Sequence, residues 1–112
     1  MIPTTVYIGV MMVVMIIPES RTLKDKRQVI RSLSDRIRQR FDVTCNLAGQ
    51  GEHPGRQTLM FTSSSQNRET LNTMYDKLRA YLDGFGRAWP SNVHVEVFTW
   101  RPGETPMEWN NG

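Results

Sequence analysis

Val6–Phe41 reads VYIGVMMVVMIIPESRTLKDKRQVIRSLSDRIRQRF, and the change of rhythm inside it sets the fold. Val6–Ile17 is nearly all Val, Ile and Met, residues suited to a pleated strand, and it stops at Pro18, which has no N–H for a ladder. Being apolar on both alternating sets, this strand belongs in the centre of a sheet. The polar stretch after Pro18 ends in a helix start. Thr22 stands three residues before Asp25, so its hydroxyl can cap a free backbone N–H. Leu23, Ile30, Leu33, Ile37 and Phe41 then recur at helical spacing, predicting a helix over 23–41.

The rest of the chain repeats this scheme with an extra strand. In DVTCNL, Val43, Cys45 and Leu47 alternate with polar residues, predicting a short half-buried strand. AGQGEHPGR is a loop by its glycines and proline, and QTLMFTS returns as a second hairpin strand. SSSQN offers Ser65 or Asn67 as a helix cap. Leu71, Met74, Tyr75, Leu78 and Leu82 then predict a helix over 68–83. GFGRAWPSN reads as a loop, and VHVEVFTW (93–100) as the last strand, with Val93, Val95 and Val97 toward the helices. The order β-α-β-β-α-β, with right-handed crossovers, gives a ferredoxin-like α+β sandwich. Both helices lie on one face of a four-stranded antiparallel sheet. The expected domain is 1–100, followed by a flexible tail over 101–112.

Length and composition fit that plan. The 112 residues suit one domain. The 38% hydrophobic and 22% charged residues favour a globular chain over a disordered one. Cys45 is the only cysteine, which excludes an internal disulfide and a cysteine zinc site and suits a reducing cytoplasm. The apolar run at 6–17 has no basic residues ahead of it and no cleavage signal behind it. It is also shorter than the roughly 20 residues a spanning helix needs, so no membrane role is expected.

Pro18, Glu19, Ser20, Thr22, Leu23, Lys24, Asp25, Lys26 and Arg27, followed by Arg40, Phe41 and Val43, resemble the hallmark of the YlxP-like family. These are small bacterial proteins classed as a domain of unknown function, family 503. Thr22 and Asp25 stand where relatives usually carry Ser and Glu, and NLAGQGEHPGR departs from their acidic, Trp-bearing segment. The resemblance implies a ferredoxin-like fold, a cytoplasmic location and, through neighbouring genes for translation factors and ribosome maturation, RNA or a ribosomal partner. It implies no catalytic residues. It also implies that Met12, Val14 and Ile16 point away from the helices.

Charge is concentrated in the first helix region. The whole chain carries +3. Glu19–Asp42 alone has eight basic and four acidic residues, leaving the remainder at −1. On a helical wheel Arg27, Arg38, Arg31 and Lys24 fall on one stripe about 60° wide. Such a stripe can follow phosphates, and the helix N-terminus beside Ser20 and Thr22 favours an anion. A solvated helix face is the plainer reading, with Asp35 pairing to Arg31 or Arg38. Lys26, Arg36 and Arg40 are secondary, lying nearer the apolar side or behind it.

A second feature is the helix-free sheet face, where Met12, Val14 and Ile16 join His94, Glu96, Phe98 and Trp100. An apolar stripe there is expected to be covered, by a second copy above all, with RNA stacking, another partner or a tail residue such as Trp109 as the rivals. His94 and Glu96 suit a hydrogen-bonded pair, with no nucleophile beside them. No histidine spacing suits a metal, and no cofactor is expected. The leading expectation is therefore a non-catalytic homodimer that binds RNA or a ribosomal partner through its first helix. The alternatives are an enzyme for a small anion, lined by Ser20, Thr22, Lys24 and His53, and an assembly module without nucleic acid.

Overall fold

The computed structural model describes residues 4–49 and 51–104. Its elements are β1 (Val6–Ile16), α1 (Leu23–Arg40), β2 (Thr44–Leu47), β3 (Arg56–Ser65), α2 (Arg68–Asp83) and β4 (Trp89–Trp100). The sheet order is β2-β3-β1-β4, with every neighbouring pair antiparallel. This is the ferredoxin-like arrangement, with β1 and β3 inside and β2 and β4 at the edges.

Alternation along β1 divides the molecule. Met11, Val13 and Met15, with Ile17 just beyond the strand, are buried beneath the helices. Leu59 and Phe61 of β3 and Cys45 of β2 share that layer. The helices close it from above with Ile30, Leu33 and Ile37 of α1 and Leu71, Tyr75, Leu78 and Leu82 of α2. Each such side chain contributes about 1.5–3 kcal/mol by leaving water. At Gly9 the α2 side chain Tyr75 lies where a Cβ would stand, and its hydroxyl is 2.7 Å from Ser63 Oγ. The other set, Val6, Ile8, Val10, Met12, Val14 and Ile16, faces away from the helices.

Local chemistry sets the helix starts. The Thr22 side chain accepts from the Asp25 amide at 3.1 Å, and the Asp25 carboxylate accepts from the Thr22 and Arg21 amides, each at 3.3 Å. Asn67 caps α2 by accepting from the Glu69 amide at 2.9 Å. Phe41 is the C-cap of α1 rather than its last residue.

The largest departure from the sequence reading is β4. It begins at Trp89, four residues before the expected Val93, so the last four residues of the expected loop are strand. Pro90 is tolerated because β4 is an edge strand. Between Met12↔His94 and Val14↔Ser91 the ladder slips, with one extra residue on β4, and Asn92 has φ 51°. This is a bulge with a left-handed residue, a conformation Asn adopts more readily than most. Its consequence is a switch of face. Val93, Val95 and Val97 point toward the helices as expected, although Val95 is left largely exposed at the edge. Beyond the bulge Trp89 pairs with Ile16, on the helix-free side, and Ala88 is buried in the core.

β3 also runs longer than expected, through Ser65, because Ser63–Ser65 pair with Tyr7–Gly9. At the other end Arg101–Glu104 form a turn, with the Glu104 amide donating to the Arg101 carbonyl at 3.2 Å and the Arg101 side chain donating to Thr5 Oγ1. Residues 105–112, including Trp109, lie outside the described residues.

Candidate anion-binding groove

The basic stripe of α1 forms one wall of a groove of about 720 Å³. Lys24, Arg27, Arg31 and Arg38 line it from α1, with Asp35 among them, and Leu47, Gly51 and Gln57 line it from the β2–β3 hairpin. The spacing of three, four and seven residues that grouped the cations on a wheel thus places them along one cleft.

Their partners differ. Among the described residues Lys24, Arg27 and Arg31 make no hydrogen bond or close ion pair, Lys24 having only a minor charge attraction to Asp25, and all three are exposed. Arg38 is engaged. It donates to the Cys45 carbonyl at 2.7 Å and lies 3.6 Å from Asp35, one of the two pairings the sequence allowed. It therefore ties α1 to β2 at the far end of the groove. Three cations over about two helical turns, roughly 10 Å, are left to meet a ligand.

The facing wall is built by a residue that sequence reasoning ranked second. Lys26 is 4% exposed, and its ammonium donates to the carbonyls of Gly51 at 3.1 Å and Arg56 at 3.4 Å. Burial, with a smaller push from Arg27, lowers its pKa. The amide of Gln57, also buried, donates to the carbonyls of Gly49 and Thr58, both at 2.9 Å. Lys26 thus holds the glycine-rich loop against α1, and Gln57 ties Gly49 at the start of that loop to β3. The signal was present on the wheel: Lys26 falls at about 300°, between Leu33 near 280° and Ile30 near 340°. A lysine in the middle of an apolar arc needs carbonyl partners, and only the folded hairpin supplies them.

Arg36 and Arg40 turn away from the groove. Arg36 lies over the Phe85 ring at 5.6 Å and Arg40 over Tyr81 at 5.0 Å, which fixes them against the α2 side of the molecule.

Ser20 and Thr22 are not brought to the groove. Ser20 Oγ donates to the Thr22 carbonyl, and Thr22 Oγ1 is spent on the capping box. Ser20 instead lines a cleft of about 380 Å³ with Glu19, Asp25, Arg87 and Trp89. The Asp25 carboxylate already takes amides at the helix start, and those bonds lower its pKa. A second anion there would meet a negative charge. His53 is spent too: its Nδ1 accepts from the Gly55 amide at 3.0 Å and its Nε2 lies 3.1 Å from Arg56. Of the four groups of the small-anion enzyme reading, Lys24 alone lines the groove.

Other single residues find structural roles. His94 Nε2 and Glu96 Oε1 are 3.1 Å apart on the helix-free face, both well exposed. The Cys45 thiol is buried and 3.6 Å from Ser34 Oγ, and burial raises its pKa. Among the described residues there is no group of three or more His, Cys, Asp or Glu placed to hold a metal, and no helix long and apolar enough to cross a membrane.

A family model described as a protein of unknown function, DUF503, matches residues 8–94. The chain belongs to the DUF503 family. Every residue of the groove falls inside the DUF503 match, whereas Phe98 and Trp100 fall beyond it. The curated proteins include no match to this chain. Among solved structures it is similar to a de novo designed protein, Foldit4, at 16% identity over 85% of this chain and 97% of that one, with a TM-score of 0.45.

Proposed function

We propose that this DUF503 protein is a non-catalytic binding protein that holds the phosphate backbone of RNA, free or within a ribosomal particle, in the α1 groove. One observation carries the reading. Lys24, Arg27 and Arg31 stand exposed and side by side, without an ion-pair partner, over a cleft whose opposite wall is pinned by Lys26 and Gln57. Unpaired cations held in register on a rigid helix suit a ligand with evenly spaced negative charges. Its charged lining is mostly cationic, with Asp35 as the one carboxylate, and that balance suits holding an anion. The lone buried thiol fits a reducing compartment, and the reading places the protein in the cytoplasm.

Fluorescence anisotropy with a labelled RNA tests this. Three phosphate contacts predict that raising salt from 50 to 200 mM weakens binding about 20- to 40-fold. The double variant Arg27→Glu, Arg31→Glu should lose most of the affinity at low salt and most of the salt dependence. Equal binding by wild type and variant at both salts would remove the proposal.

A further inference from the structure

We propose that the helix-free face of the sheet is a self-association surface, closed by a second copy of this chain about a two-fold axis, and that Trp89 anchors one end of it. The face is apolar along its middle. Val6, Ile8, Val10, Met12, Val14 and Ile16 run the length of β1, and Met60 of β3 extends the row beside Met12. Large apolar groups remain exposed there: Met12 at 38%, Phe98 at 39%, Trp100 at 38% and Trp89 at 51%. The extra residue at Asn92 reverses the alternation of β4, so Trp89 pairs with Ile16 at the end of this face, where it also borders the cleft with Ser20 and Asp25. In flush register its indole would turn toward the helices.

The occupant follows from area, charge and symmetry. A strand residue covers roughly 16 Å² of sheet, from a rise near 3.3 Å and a strand spacing near 4.8 Å. Strands of 11, 4, 10 and 12 residues therefore present roughly 600 Å² per copy. Two such faces bury roughly 1,200 Å² together, the lower bound for a stable, specific interface. The apolar row follows a central strand, so a two-fold axis over β1 lays the row on its own copy with the polar groups outside it. Those groups are Ser64, Thr62, Thr58 and Arg56 on one flank and His94 with Glu96 on the other. The charges are few and of both signs, and His94 and Glu96 already pair with each other. A nucleic acid would need several cations and aromatics on the central strands. Here the one arginine, Arg56, stands at a strand end, and β1 carries Val, Ile and Met instead. The groove lies on the helix side, so pairing of the sheets leaves it open.

Sedimentation velocity and light scattering of the full chain decide the matter. Wild type should run at twice 13.0 kDa at micromolar concentration. Met12→Asp should run as a monomer with an unchanged far-UV circular dichroism spectrum. Trp89→Ser, outside the core, should weaken association at least tenfold and still fold; should Met12→Asp fail to fold, this variant decides alone. Arg31→Glu, on the opposite layer, should leave association intact. A wild-type monomer up to 100 µM would overturn the proposal, as would association unmoved by the folded variants. A monomer whose tryptophan emission shifts with RNA, and loses that shift in Met12→Asp, would overturn it in favour of nucleic acid.

Discussion

At the scale of single residues, the informative positions are those where one side chain does something its type does not announce. Lys26 is a buried cation that fixes a loop, Arg38 a groove cation spent on a backbone carbonyl, and Asn92 an edge-strand residue that redirects a tryptophan. Gly9 shows the packing limit most sharply, since the Tyr75 ring occupies the space a side chain would take. Gly9→Val should destabilise the protein by about 1–3 kcal/mol through overpacking, read as a lower urea midpoint with an unchanged slope. Gly9→Val paired with Tyr75→Leu should recover part of that loss, because the clash is with the ring. None of this was legible from the glycine alone, because Gly9 and Tyr75 stand 66 positions apart in sequence.

At the scale of elements, patterning was a sound guide where one element carried its own instructions. The Thr22–Asp25 signature predicted the start of α1, and the capping box is formed. Its carboxylate has a pKa below the ordinary 3.8 because it accepts backbone and side-chain hydrogen bonds at Arg21 and Thr22. A carboxyl group with a depressed folded pKa adds stability above its unfolded value and loses it as pH falls through the folded value. Asp25→Asn should therefore be less stable than wild type at pH 7, and the gap should close as pH drops below about 3.8. Urea denaturation of both proteins at pH 7 and pH 3 measures this. A gap that persists unchanged at pH 3 would show that the charge contributes nothing. The start of β4 was misread for the opposite reason. Trp89–Asn92 carries Pro and Asn, which locally favour a loop, while pairing with Val14–Ile16 on the neighbouring strand overrides that preference.

At the scale of the whole molecule, the two surfaces lie on opposite sides of one sheet. The groove belongs to the helix layer, and the proposed contact between copies belongs to the bare face. A dimer built this way carries two grooves facing outward, separated by two sheets and two helix layers, on the order of 40 Å given a layer spacing near 10 Å. An RNA of about 40 nucleotides should reach both grooves, whereas a 10-mer should reach only one. The longer RNA should then bind more than tenfold tighter per groove, and that advantage should vanish in Met12→Asp. Anisotropy with the two lengths measures it. Equal affinities for both lengths in a confirmed dimer would mean that the grooves do not act together.

What the sequence by itself determined is whatever depends on neighbours along the chain. The order of elements, the apolar faces of both helices, the caps and the concentration of positive charge on α1 all come from spacing and local hydrogen bonding. From these the ferredoxin-like topology follows with few alternatives. Only the tertiary structure decided which cations remain available, what the opposite wall of the groove is made of, and which way Trp89 faces. Each of these is a long-range pairing, α1 against the hairpin or β4 against β1. Energies of that kind become readable only once the chain has brought the partners together.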